Sequence, residues 1–246
     1  LARVVFAPGR RFRVLHRLRT RLHGRRPTEI AALAVKNLSH ALRRFTPAAR
    51  AARAADDRFD RLWGTDTSAG LSGRELGFGA DQLADYYRYD PSSEAMIRDP
   101  VATLRLDPAD WHFVDYGAGK RRVVMTAMAM GFARVTGVEL SGRLCAIAAS
   151  NIALFADKHG GLIPAAITEV DATAFAPAGD RILAYFYNPF GPAILSQVRD
   201  RLTASGAREV IVIYANPQHA EVFTAPDWHA GPTWPSIASF RYGADM

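Results

Sequence analysis

The stretch FVDYGAGKRR, residues 113–122, sets a carboxylate, Asp115, two residues ahead of a glycine pair, Gly117 and Gly119, where an apolar run ends. Glycines at that spacing let the backbone turn tightly and approach a ligand, and the helix that should follow offers free N–H groups. A dinucleotide site would require G-x-G-x-x-G, but Arg122 stands at the third position. Asp115 would also repel a pyrophosphate, whereas an ammonium group beside it would be attracted. These residues point to a ligand that carries an amine. Polar residues end the later apolar runs as well: Glu139, Asp171 followed by Ala172, Asn188-Pro189-Phe190 and Asn216-Pro217. Each has a plain structural use too. Glu139 and Asp171 could cap a helix or a turn, Asn188-Pro189-Phe190 could form the entry to a helix with Phe190 in the core, and Ser141 reads as a helix N-cap.

The elements that position these residues alternate regularly. Strands are predicted at 111–116, 134–139, 163–170, 181–187 and 208–215, and helices at 121–131, 141–158 and 191–204. This is the pattern of an α/β fold, a Rossmann-like, doubly wound, mainly parallel sheet, in which ligands sit beyond the carboxyl ends of the strands. Arg121 falls in the first turn of helix 121–131, where a side chain costs little. Antiparallel strands near 221–224 and 236–242 extend the sheet, with Trp228 and Trp234 covering its edge. Upstream, an apolar stripe predicts a helix from Glu29 to Phe45, and a second helix runs from Pro47 to about Trp63. Residues 64–80 form a long polar loop, and Asp90-Pro91 caps a helix toward Leu106 that Pro100 kinks or splits.

The 246 residues are 49% hydrophobic and carry a net charge of +7. Residues 1–61 hold 16 Lys/Arg against four acids, and the remainder 15 against 20. The chain is therefore divided into a basic helical N-terminal appendage, 1–62, and a Rossmann-like domain, 63–246, that includes a lid loop and a gate. Arginine outnumbers lysine 28 to 3, a bias that composition explains as well as phosphate binding does. The opening segment also has the look of a basic amphipathic helix, with Leu15, Leu18 and Leu22 on one face. A single cysteine, Cys145, excludes an internal disulfide and fits a cytoplasmic setting. The spacing of Cys and His indicates no metal, and no apolar run is long enough to cross a membrane.

From Trp63 to about Tyr242 the sequence resembles the class I S-adenosylmethionine-dependent methyltransferases. Their D-x-G-x-G-x-G turn corresponds to Asp115, Gly117 and Gly119, with Arg121 in place of the last glycine, followed by Glu139 in GVEL and Asp171 in DAT. Within that family the chain is most similar to a bacterial branch with FVDxGxGKxR, GVELS and NPF, which in turn resembles the non-SET protein-lysine methyltransferases. The resemblance implies that the Gly117-Ala118-Gly119 turn passes beneath the methionine part of S-adenosylmethionine, with Asp115 near its amine. It implies further that Glu139 takes the ribose hydroxyls and that Asp171 and Ala172 border the adenine. Asn188, Pro189 and Phe190 resemble the motif by which amino-methyltransferases orient a planar amino group. Tyr89 resembles a gate over the methionine end, with Thr65, Asp66 and Thr67 along the channel. The acceptor implied is an amine of a protein or peptide. A small metabolite, a nucleic acid held by the basic N-terminus, and a non-catalytic cofactor-binding scaffold are the alternatives.

Overall fold

Five runs rich in Val, Ile and Phe lie side by side in a computed structural model of the chain, which describes residues 46–68, 92–160 and 165–243. They are β1 (His112–Tyr116), β2 (Arg134–Glu139), β3 (Ala165–Glu169), β4 (Arg181–Tyr187) and β5 (Glu209–Ala215). All pair in parallel. Two antiparallel strands, β6 (Trp228–Trp234) and β7 (Ile237–Gly243), complete one seven-stranded sheet of order β3-β2-β1-β4-β5-β7-β6. The direction of winding reverses between β1 and β4, which is where an open α/β sheet forms its crevice.

Helices cover both faces because the parallel strands are apolar on both sides. On one face, Phe113, Val135, Leu183, Ile211 and Ile213 pack against α3 (Arg122–Ala129) and α4 (Gly142–His159). Phe59 of α1 (Pro47–Trp63) and Ile97 and Val101 of α2 (Ala95–Thr103) belong to the same cluster. On the other face, Val114, Val138, Phe186, Val212 and Tyr214 pack against Leu195, Val198 and Leu202 of α5 (Pro192–Thr203). The class predicted from sequence, a Rossmann-like mainly parallel sheet, is the class observed.

Four expectations need correction. Residues 221–224 are not a strand but part of a 3-10 turn, Ala220–Thr224, which buries Val222 and Phe223 together on the α5 side. The strand there is β6, whose Gly231 and Pro232 hid it from pattern reading; as the outermost strand it tolerates a residue without an N–H. Pro100 does not split its helix: α2 continues through it to Thr103. Helix α3 begins at Arg122 and not at 121. Arg121 precedes it in a left-handed conformation, φ 75° and ψ 20°. The helix expected at 29–45 lies outside the described residues, and the cap expected at Asp90-Pro91 is not the cap of α2, which begins at Ala95 with Glu94 at its N-cap. Among the described residues no helix is long and apolar enough to cross a membrane.

Candidate functional site at the strand ends

The turn after β1 is built from two left-handed glycines, Gly117 at φ 74° and Gly119 at φ 52°. It is tied to β2 through Val138, whose carbonyl accepts from the N–H groups of Gly117 and Ala118, both at 3.0 Å. A side chain on Gly117 would meet the ring of Pro189 at 2.7 Å, so the loops after β1 and β4 touch at the reversal of the sheet. Ala118 is buried beside them.

Glu139 closes β2 with its carboxylate buried. One oxygen accepts the Gly119 N–H at 2.9 Å and the other the Ser141 N–H at 2.8 Å. The group is thus fixed in direction, and each oxygen keeps lone-pair capacity for a ligand hydroxyl. Ser141 caps α4 as expected, its hydroxyl accepting from Leu144 N–H at 3.4 Å. The Val170 N–H donates to the Glu139 carbonyl, which brings the end of β3 alongside. There Asp171 folds its own turn: one carboxylate oxygen accepts from the Thr173 N–H at 2.8 Å and hydroxyl at 2.7 Å. Ala172 is buried next to it.

Asp115 is 3% exposed, and its Oδ2 has no hydrogen-bond partner among the described residues. Burial pushes its carboxyl up to about 7; the Arg121 charge pulls the other way, and the Glu139 carboxylate adds to the rise. An acid at the mouth of a ligand crevice and poised near neutrality is well placed to respond to a cation.

The basic run Lys120-Arg121-Arg122 is buried throughout, which the sequence did not foretell. Arg121 is 0% exposed and points inward, its guanidinium filling the place a side chain on Gly137 would take. Lys120 and Arg122 instead fasten the segment Gly64–Ser68. The Lys120 ammonium meets Asp66 at 2.9 Å, and Arg122 donates to the Thr67 hydroxyl at 2.8 Å and to Ser68 Oγ at 3.0 Å. Thr65 and Thr67 both donate their hydroxyls to Asp60 of α1, while Asn151 of α4 bonds the Asp66 backbone through both amide atoms. Asp60, Lys120, Arg122 and Asn151 were not read as site residues. Lys120 and Arg122 are the two basic positions of the FVDxGxGKxR motif, which was the signal for them, whereas Asp60 and Asn151 lie far from it in sequence and belong to no motif.

At the end of β4, Asn188 adopts φ 41°, and its side-chain oxygen accepts from the Tyr214 hydroxyl at 3.0 Å. Tyr214 of β5 is another residue missed from sequence, where it reads as core. Pro189 is half-buried against Gly117, and Phe190 is 3% exposed within the core on the α5 side. Tyr89 lies outside the described residues.

No family model matches the sequence, and no curated protein is similar to it. Solved structures are similar in fold. The putative methyltransferase yhhF of Escherichia coli is 16% identical, with 64% of this chain and 90% of that one covered at a TM-score of 0.50. A magnesium protoporphyrin IX methyltransferase of Synechocystis with bound SAM is 14% identical over 60% and 77%, at 0.46. A ribosomal protein L11 methylase of Lactobacillus delbrueckii subsp. bulgaricus is 16% identical over 53% and 68%, at 0.39. The likeness to yhhF, at 16% identity, speaks for architecture and not for substrate. The described chain has the mixed, seven-stranded fold of the class I methyltransferases.

Proposed function

We propose that this protein is an S-adenosylmethionine-dependent methyltransferase that methylates an amine nitrogen of a protein or peptide. One observation carries the cofactor part. A carboxylate fixed by two backbone N–H groups, Glu139, and a buried carboxylate with an unpartnered oxygen, Asp115, converge on one left-handed glycine turn. The first suits a ribose diol and the second an ammonium group, so the residues fit this cofactor better than a pyrophosphate.

When bound, S-adenosylmethionine supplies an electrophilic methyl group on a cationic sulfur. The protein's own work is then alignment and exclusion of water. Gly117, Ala118 and Gly119 would pass beneath the methionine part, Asp171 and Ala172 would border the adenine, and Thr65, Asp66 and Thr67 would border the channel. Asn188 accepts a hydrogen bond from the acceptor amine through its side-chain oxygen, which Tyr214 holds in one orientation, while the neighbouring Pro189 shapes the opening.

Calorimetry with S-adenosylhomocysteine tests the cofactor part. Wild-type protein should bind at micromolar concentration, and Glu139→Ala should weaken binding by about 1–3 kcal/mol. Heat from a nicotinamide dinucleotide and none from S-adenosylhomocysteine would sink the reading. Mass spectrometry of a cell extract incubated with the protein and isotopically labelled cofactor tests the acceptor: label in proteins supports the proposal, and label confined to RNA or small metabolites overturns that part of it.

A further inference from the structure

Arg121 stands where the glycine pattern calls for a third glycine, and it has not simply replaced it. Its backbone keeps a glycine-like conformation at φ 75°, and its side chain turns down into the core. Room for the guanidinium comes from β2. Gly137 lies in register with Asp115 on β1, and Asp115 in register with Tyr185 on β4, so the guanidinium rests on the first member of a three-strand row whose second member is the carboxylate. A guanidinium does not give up its proton in a protein, so a buried one requires negative charge nearby. Nη2 reaches only the Cys145 sulfur, at 3.8 Å, and Nε and Nη1 have no partner among the described residues.

We infer that Arg121 is a positioning residue of the site, a fixed internal cation lodged over Gly137 whose charge favours the carboxylate form of Asp115 toward the ligand's ammonium group. The ligand half of this inference rests on the methyltransferase reading; the pairing of Arg121 with Asp115 does not. Four groups bear on that pairing among the described residues: Arg121 ahead of α3, Glu139 on β2, Tyr185 on β4 and, beside the guanidinium, Cys145 on α4. Of these, Arg121 is the one that lowers the Asp115 carboxyl, against burial and Glu139. Without it the carboxyl would rise further and be less ionised at neutral pH, which weakens its attraction for a cation.

The experiment has two arms. Carbon-13 NMR follows the Asp115 carboxyl through a pH titration in wild type, Arg121→Met and Arg121→Lys, the resonance being assigned from Asp115→Asn. The transition should move up by one pH unit or more in Arg121→Met and return most of the way in Arg121→Lys. In parallel, S-adenosylhomocysteine affinity is measured by calorimetry from pH 6 to 9. In wild type it should tighten as pH rises through the Asp115 transition, and in Arg121→Met that rise should shift to higher pH by the same amount. Should Arg121→Met not fold, Gly137→Ala serves, because the added methyl group displaces the guanidinium. An Asp115 transition that stays in place in these variants overturns the inference, whatever the protein binds. Failure of wild type to bind S-adenosylhomocysteine, with the carboxyl transition shifting as expected, overturns the methyltransferase reading and leaves the action of the Arg121 charge on Asp115 supported.

Discussion

Arg121 and Gly137 carry out a trade: the turn gives up its last glycine, and a strand takes one to make room for the side chain that results. Left-handed backbone costs a non-glycine residue roughly 1–2 kcal/mol, and the buried packing of the arginine stem offsets it. Gly137→Ala alone should therefore destabilise the fold by about 1–3 kcal/mol through overpacking. In an Arg121→Gly background the same change should cost far less, and urea denaturation of the two single variants and the double variant measures the coupling. Additive losses would mean that the two residues do not share the space. A lone glycine inside the β2 pattern is a sequence sign of close approach, and it went unread. What approaches it was not legible, because Arg121 reads equally well as the start of a helix until its dihedral angles are known. Asn188 shows the same limit. Its place after β4 followed from the NPF turn, but the hydroxyl that orients its amide comes from Tyr214, 26 residues on and indistinguishable from core. Asn188→Ala should cut turnover through about 2–4 kcal/mol in the barrier while leaving cofactor affinity nearly intact. Tyr214→Phe should follow it in part. Loss of cofactor binding in step with turnover would make Asn188 a structural residue.

At the scale of elements, the segment after α1 gathers around one carboxylate, with Lys120, Arg122 and Asn151 holding it from the other side. Asp60 accepts from the hydroxyls of Thr65, Thr67 and Ser68 and from the N–H groups of Thr67 and Ser68. Burial opposes its ionisation, but the bonds from Ser68, Thr67 and Thr65 outweigh burial and hold its carboxyl below the usual range. An acid with a depressed value stabilises the fold above its ordinary pKa and loses that contribution as pH falls through the lowered value. Asp60→Ala should cost about 2–3 kcal/mol in a denaturant titration and speed hydrogen exchange at the Thr67 and Ser68 amides. Unchanged exchange would show that Lys120, Arg122 and Asn151 suffice to hold the segment. The elements themselves were read from sequence closely where periodicity was strong: strands 134–139 and 181–187 and the helix from Pro47 to Trp63 match residue for residue. Reading failed where two residues were buried by a tight turn instead of a strand, at Val222 and Phe223, and where an outer strand could afford a proline.

Across the whole molecule, two buried groups oppose one another in pH. The His112 ring donates from Nδ1 to the Ala178 carbonyl and meets the Thr136 hydroxyl through Nε2, each at 2.8 Å, and in the neutral form Nε2 accepts from that hydroxyl. Burial lowers its pKa to about 4, helped by the Arg134 charge and opposed by the Ala178 bond. Its contribution is complete above the ordinary histidine value and is lost as pH falls toward 4, by about 3 kcal/mol. Asp115 behaves the other way. Raised to about 7, it stabilises the fold fully below the ordinary aspartate value and loses that contribution as pH rises to neutrality. From pH 6.5 to pH 4 the two slopes offset one another, so wild-type stability should stay nearly flat. His112→Gln should unmask the acid: the urea midpoint should rise as pH is lowered from 7 to 5, whereas in Asp115→Asn it should fall. Parallel curves for the three proteins would refute this account.

The placement of β7 between β5 and β6 has a consequence for the order of synthesis. β6 leaves the ribosome before the strand it pairs with, and until Ile237–Gly243 has emerged β5 presents an open edge of Val210, Ile211, Val212 and Ile213, all buried in the finished protein. Until β7 docks, β5 is paired on one side alone, through β4, and its free edge, lined by apolar residues, is of the kind that joins other chains.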